Sequence, residues 1–374
     1  MLALPVLALA ALTQWDVISL PPAGRVDAVD IADAPVSSRL AFGSVGAQGA
    51  IVFRVGQPVH AWAVDAAGHT RWERDFADGE YLACGPCPAA VVRHADGTVS
   101  AISAAGDASA PPSVLGPLLV RTSSPVGVVL ASLASAGRVT FFAATSTGLI
   151  ESGTSAGARL GQPLVAVTPA VDGGAVTIMQ ASADALAQGE FQLLHVSPIG
   201  ETAETVALDP PTARPLPCQV TDGNTVAYFL AWGGPGADGT TRVVVHHTDG
   251  GPAFDATVRG VFDSCAVGPS GVVLANAANG EDGDLTRTVV RLVWLGPTGA
   301  VDAQATERVA TITASVALDA GSRRAVVAGS GEAAVLVDGT SRLLLPPASA
   351  VAFDDCGGLW SADADGHVNR QERP

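Results

Sequence analysis

The chain has 374 residues, 48% of them hydrophobic and 15% charged, with 42 Gly and 25 Pro, a turn-rich globular composition that excludes a disordered chain and supplies a large core. Twenty basic residues, all arginine, stand against 36 acidic ones, a net charge of −16. Such a surface repels phosphate backbones and anionic lipid, which excludes nucleic acid as a natural partner.

The chain begins MLALPVLALAALTQWD, in which residues 2–13 are apolar up to the final Thr. The length suits the apolar region of an export signal and falls short of the roughly 20 residues a spanning helix needs. No arginine precedes it, so the alternatives are a leader cut short at its start and an ordinary buried segment. The expectation is a leader or anchor remnant over 1–13, export to the periplasm, cell envelope or exterior, and membrane association only through that segment if it is retained.

Past residue 35 one phrase repeats: a short apolar or β-branched run, a Gly-bearing tight turn, and a second run, as in LVAVTPAVDGGAVTIMQAS, CQVTDGNTVAYFLAW, CAVGPSGVVLANA and SVALDAGSRRAVVAGS. Val, Ile, Thr and aromatics punctuated by Gly, Asp and Asn are strand and hairpin signals. The turn glycines Gly49, Gly97, Gly127, Gly174, Gly223, Gly271, Gly321 and Gly358 lie 48, 30, 47, 49, 48, 50 and 37 residues apart. Repeats of this length with four strands each are the mark of a β-propeller. A second series, Gly68, Gly148, Gly200, Gly250, Gly299 and Gly339, interleaves with the first and marks the outer hairpins. The span Ala314 to Leu345 spells all four strands of one blade, whereas the chain end after Gly358 has room for only part of one. The expectation is an all-β single propeller over 14–374, with eight four-stranded blades and the ring closed by an N-terminal strand within 14–22. Seven blades is the alternative, because the segment around 88–115 is short. Closure removes the bare edge that invites edge-to-edge aggregation.

The segment AVDAAGHTRW, Ala63 to Trp72, together with the following PAAVVRHADGTVSAISAAG, resembles the pyrroloquinoline-quinone-type propeller repeat. The resemblance covers roughly two blades; later repeats lack the Trp. It implies a shape shared by quinone-dependent dehydrogenases and by noncatalytic envelope scaffolds, so it implies no activity by itself. Enzymes of that family are longer and many carry two adjacent cysteines beside the cofactor. This chain has no such pair and no recognisable calcium-ligand set, so no cofactor is expected.

Other chemistry is sparse. CGPC, Cys84 to Cys87, matches a redox motif in letters, but Pro88 and a strand follow where the redox site needs a helix N-terminus to lower the thiol pKa. A local Cys84–Cys87 disulfide is the expectation in an oxidising compartment. Cys218 and Cys265 share a register on the inner strands of neighbouring blades; their pairing is left open, since it needs Cα atoms within about 7 Å, and so is the state of Cys356. The pair His246 and His247 points to opposite faces of a strand and cannot easily ligate one ion. The acidic loop Asn279 to Thr286 lacks the full ligand ladder of a calcium site, and no GxSxG occurs.

The expected function is a noncatalytic protein-binding scaffold. The long loops at 181–190, 233–240 and 278–287, all second-to-third strand connections, should cluster on one face. Two alternatives stand beside it. One is a carbohydrate-active hydrolase or lyase with Asp222, Asp263 and Asp354 converging on the central channel. The other is a glycan-binding module presenting Trp62, Trp72, Trp232, Trp294 or Trp360.

Overall fold

The computed structural model describes the strands from Asp16 onward and, between 254 and 372, most of the connecting residues; side chains are described mainly in 49–73 and 227–372. Residues 1–15 lie outside the described residues, as do Cys84, Cys87, Asp222 and Cys356.

Among the described residues all regular structure is β, arranged as eight sheets in chain order. Sheet one comprises Leu40–Gly46, Gly49–Arg54, Val59–Asp65 and Thr70–Phe76. Sheet two comprises Glu80–Ala83, Ala89–Arg93, Thr98–Ser103 and Ser113–Val114, and sheet three Leu118–Ser124, Gly127–Leu133, Arg138–Thr145 and Gly148–Arg159. Sheet four holds Leu164–Pro169, Ala175–Met179, Glu190–Ser197 and Gly200–Ala207, and sheet five Arg214–Pro217, Thr225–Gly233, Gly239–His247 and Phe254–Arg259. Sheet six holds Ser264–Gly268, Gly271–Asn279, Thr288–Leu295 and Val301–Val309; sheet seven holds Ser315–Asp319, Arg324–Ala328, Ala333–Asp338 and Ser341–Pro347. In each of these sheets the four strands named form an antiparallel meander, the shape of a propeller blade; sheet six gains a fifth, short strand, Gln219–Val220, parallel to Ser264–Gly268.

Sheet eight takes only three strands from the chain end, Ala350–Phe353, Leu359–Ala362 and His367–Gln371. Its fourth is Asp16–Ser19, antiparallel to His367–Gln371 with Asp16 opposite Arg370 and Ser19 opposite His367. First strands of successive sheets touch one another, and Leu40–Gly46 of sheet one also touches Ala350–Phe353 of sheet eight.

The burial gradient explains the composition. Second strands are sandwiched between neighbouring sheets: Arg324–Ala328 and Leu359–Ala362 are buried at every position, so they read as mainly apolar runs, RAVVA and LWSA, whose polar members Arg324 and Ser361 are buried as well. The fourth strand Val301–Val309 is largely exposed and reads VDAQATERV. The core forms layers between sheets. One buried cluster joins sheets five and six, another six and seven, another seven and eight. A further one joins Ala50, Val52, Trp62 and Val64 of sheet one to Ala350, Trp360, Ala362 and Val368 of sheet eight.

By strand order the turn glycines fall at the junctions between the strands the meander joins, with one exception. Gly97 lies in the second-to-third connection of sheet two, between Ala89–Arg93 and Thr98–Ser103, not in a first-to-second turn. By strand order it is the CGPC segment that separates Glu80–Ala83 from Ala89–Arg93, which accounts for the uneven 48 and 30 intervals around Gly97. Gly271 shows why glycine is needed: at φ +127 a Cβ would sit 2.0 Å from the Leu295 carbonyl oxygen of the adjacent strand.

Candidate functional site

Each sheet has two ends. One carries the first-to-second and third-to-fourth turns, the other the second-to-third connections. Residues 181–190, 233–240 and 278–287 fall, by strand order, in the second-to-third connections of sheets four, five and six. Gln219–Val220, in the first-strand segment of sheet five, pairs in parallel with Ser264–Gly268, so these two neighbouring sheets present their equivalent connections at the same end.

Only the third connection has described loop residues. Asp284 Oδ1 accepts the backbone N–H of Thr286 at 2.9 Å and its hydroxyl as well, while Arg287 Nε lies 3.2 Å from Oδ2. The Thr286 donors, helped by Arg287, hold the Asp284 carboxyl below its usual range. That carboxylate is already used to shape the loop, which argues against a calcium role; Asp282 lies outside the described residues. The loop tip, Leu285, is 74% exposed.

Of the three expected channel acids, the two that are described, Asp263 and Asp354, lie at opposite strand ends; Asp222 is outside the described residues. Asp263 precedes the first strand of sheet six and is exposed, accepting hydrogen bonds from Ser264 Oγ, Asn276 Nδ2 and the Ala277 amide. Asp354 follows the first strand of sheet eight, at the other strand end. Its side chain is fully buried. Oδ1 accepts the Gly358 N–H at 2.6 Å, and Oδ2 accepts Arg370 Nε and Nη2 at 3.2 and 3.0 Å. Burial works against the Arg370 charge, but Glu372 and Asp354 more than restore it and raise its pKa above the ordinary value. In sheet seven a second buried pair, Arg324 and Asp319 at 2.8 Å, extends through Arg324 Nη2 to the Gly357 carbonyl at 2.7 Å. The two guanidiniums lie over Phe353 and Trp360. Paired and hydrogen-bonded in this way, the groups lock neighbouring turns.

The tryptophans fare similarly as glycan platforms. Trp62, Trp294 and Trp360 are at most 1% exposed and fill the layers between sheets, whereas Trp72 and Trp232 are half-buried. The histidines His69 and His367 close matching hairpins. In each, an Asp four residues earlier accepts the His backbone N–H and faces its Nδ1, at 2.8 and 3.3 Å for Asp65 and 2.9 and 2.9 Å for Asp363. Among the described residues no group of three metal-binding side chains forms.

Two features escape sequence reading. The first is the Cys218–Cys265 disulfide, with Cα atoms 4.6 Å apart. The first-strand segment of sheet five divides: Arg214–Pro217 pairs with its own second strand, while Gln219 and Val220 pair with Ala266 and Val267 of sheet six. That shift brings the cysteines within bonding reach. The second is Arg323, in the left-handed region at φ +55, a conformation rare for a residue with a Cβ. Its carbonyl accepts Trp294 Nε1–H at 2.7 Å, and its Nη2 lies 2.7 Å from Asp302 Oδ2. No letter pattern in AGSRRAV marks this.

No protein-family model matches the chain, and no curated protein matches it. Solved structures do resemble it. The computationally designed Ika8 protein is 15% identical, covering 90% of this chain and 97% of that one, with a TM-score of 0.51. The WD40 domain of SCAP from fission yeast is 8% identical, covering 89% and 94%, also at 0.51. BamB from Moraxella catarrhalis is 12% identical over 88% and 95%, at 0.46. At these identities the likeness concerns fold alone. With the meander sheets and the WD40 neighbour, this chain has an all-β fold of four-stranded, blade-like units of the β-propeller type.

Proposed function

We infer that the protein is a noncatalytic, exported eight-bladed propeller that binds a partner protein through the face carrying its second-to-third strand connections. The observation that carries this reading is the coincidence, in sheets four, five and six, of those connections at equivalent positions, with the exposed Leu285 at the tip of the described one. Interaction surfaces of rigid scaffolds are built from such loops. Closure of the ring by the N-terminal strand is supported by the pairing of Asp16–Ser19 with His367–Gln371 and by the buried cluster shared between sheets one and eight. Export is supported by the apolar residues 2–13 and by the Cys218–Cys265 bond, since disulfides persist in oxidising compartments. In such a compartment Cys84 and Cys87 form a second, local bond.

The test compares the intact chain with a variant whose residues 280–287 are replaced by a short Gly-Ser turn, each immobilised and exposed to extract of the native source. A protein retained by the intact chain and lost from the variant supports the reading. Capture of nothing, or of the same proteins by both, overturns it.

A further inference from the structure

At the opposite end of the blades, a cleft of about 340 Å³ opens between sheets six and seven. One wall is Trp294, Asp302 and Ala303 from the third-to-fourth turn region of sheet six. The other is Arg323 from the first-to-second turn of sheet seven, with Asp338, Gly339 and Thr340 from its outer hairpin. The volume sits at the low end of ligand sites, the size for one side chain or a small molecule.

The walls are held rigidly. Arg323 is fixed at both ends, its carbonyl by the Trp294 indole and its guanidinium by Asp302. Non-glycine residues in the left-handed region persist where surrounding contacts over-determine them, and such positions gather at ligand sites. The Nε of Arg323 is buried with no acceptor among the described residues. The Arg323 side chain is 25% exposed, and its guanidinium is neutralised by Asp302 through Nη2.

Charge decides what fits. Asp302 and Arg323 compensate one another, and the Asp302 side chain is still 43% exposed. Asp338 is exposed and carries no ion pair among the described residues. The cleft thus bears one uncompensated negative charge, within a chain of net charge −16 whose field concentrates cations.

We propose that this cleft seats a basic side chain, a guanidinium or ammonium, with Asp338 as its counter-ion and the Asp302–Arg323 pair as its fixed wall. The site is independent of the loop face at the other end of the blades. Either surface can fail its test without affecting the other.

The probe is N-acetyl-argininamide, titrated into the full chain while the indole Nε1–H resonance of Trp294, assigned with Trp294→Phe, is followed by NMR. The expected result is a saturable shift that weakens as salt is raised. Asp338→Asn, at an exposed turn, keeps the fold and weakens binding about tenfold, the scale of a lost charge-assisted hydrogen bond. Asp363→Asn, in a hairpin outside the cleft, leaves binding unchanged. The absence of a saturable shift, equal affinity in Asp338→Asn, or preference for N-acetyl-glutamic acid amide over the arginine probe would each overturn the proposal.

Discussion

The bond between Cys218 and Cys265 is the most quantitative handle on the fold. It closes a loop across a sequence separation of 47, and removing it frees that loop in the unfolded chain. With about 48 residues in the loop, the chain-entropy relation yields about 13.6 cal/mol/K, or about 4 kcal/mol at 298 K. Both cysteines are at most 4% exposed within a shared cluster that includes Phe229, Phe262 and Val272, and the parallel pairing beside them remains when the sulfurs are gone. The double variant Cys218→Ala/Cys265→Ala is therefore expected to fold and to lose stability through the unfolded state. Unfolding entropy of about 2.1 cal/mol/K per residue, over 374 residues, comes to ~0.8 kcal/mol/K, so the melting temperature should fall by about 5 °C. Urea unfolding and calorimetry on oxidised protein measure this, with thiol titration of the denatured, unreduced chain as a control. A double variant within about 0.5 kcal/mol of the parent, or free thiols at both positions in that control, would refute the reasoning.

The buried pair in sheet eight predicts an asymmetry. Arg370→Ala strands the Asp354 carboxylate at zero exposure and should cost about 3–5 kcal/mol in urea unfolding, whereas an apolar replacement of both residues of similar volume should cost far less; equal losses would show that the pair is not what matters. Gly358→Ala puts a Cβ 2.5 Å from Asp354 Oδ2 and should destabilise by about 2 kcal/mol, as overpacking does; a neutral result would contradict the tight turn. In sheet one, burial pushes the Asp65 carboxyl up, but the His69 backbone amide and side chain, with Arg71, bring it below its ordinary value. A carboxylate lowered in the folded state stabilises above its unfolded pKa of about 3.9, and that stabilisation disappears as pH falls through the lower folded value. Urea midpoints of the wild type and Asp65→Asn should therefore differ near neutrality and converge below about pH 4; a gap that widens on acidification would reverse the assignment.

Much of the architecture was legible because strand and turn chemistry is local. The series Gly68, Gly148, Gly200, Gly250, Gly299 and Gly339 marks third-to-fourth turns, and Ala314 to Leu345 spells sheet seven nearly strand for strand. The missing strand of the last sheet was legible too, since a chain end with three strands needs an outer partner and the 14–22 segment suits one. Gly97 was misplaced because an ADG turn is chemically alike wherever two strands reverse, and the letters do not say which pair of strands it joins.

Turn residues and apolar runs act over a few bonds, so the amino-acid order alone determined an all-β chain of four-stranded units with a net charge of −16. What packs against what between sheets depends on residues separated by a whole repeat, and only the tertiary structure decided it. It turned Asp354 from a channel acid into a buried lock for Arg370 and brought Cys218 to Cys265 by shifting part of one strand onto its neighbour. It also placed Arg323, Asp302 and Asp338 around one cleft. The reason is that burial, desolvation and hydrogen-bond pairing are properties of a side chain's neighbours in space, and those neighbours are set by how the sheets stack.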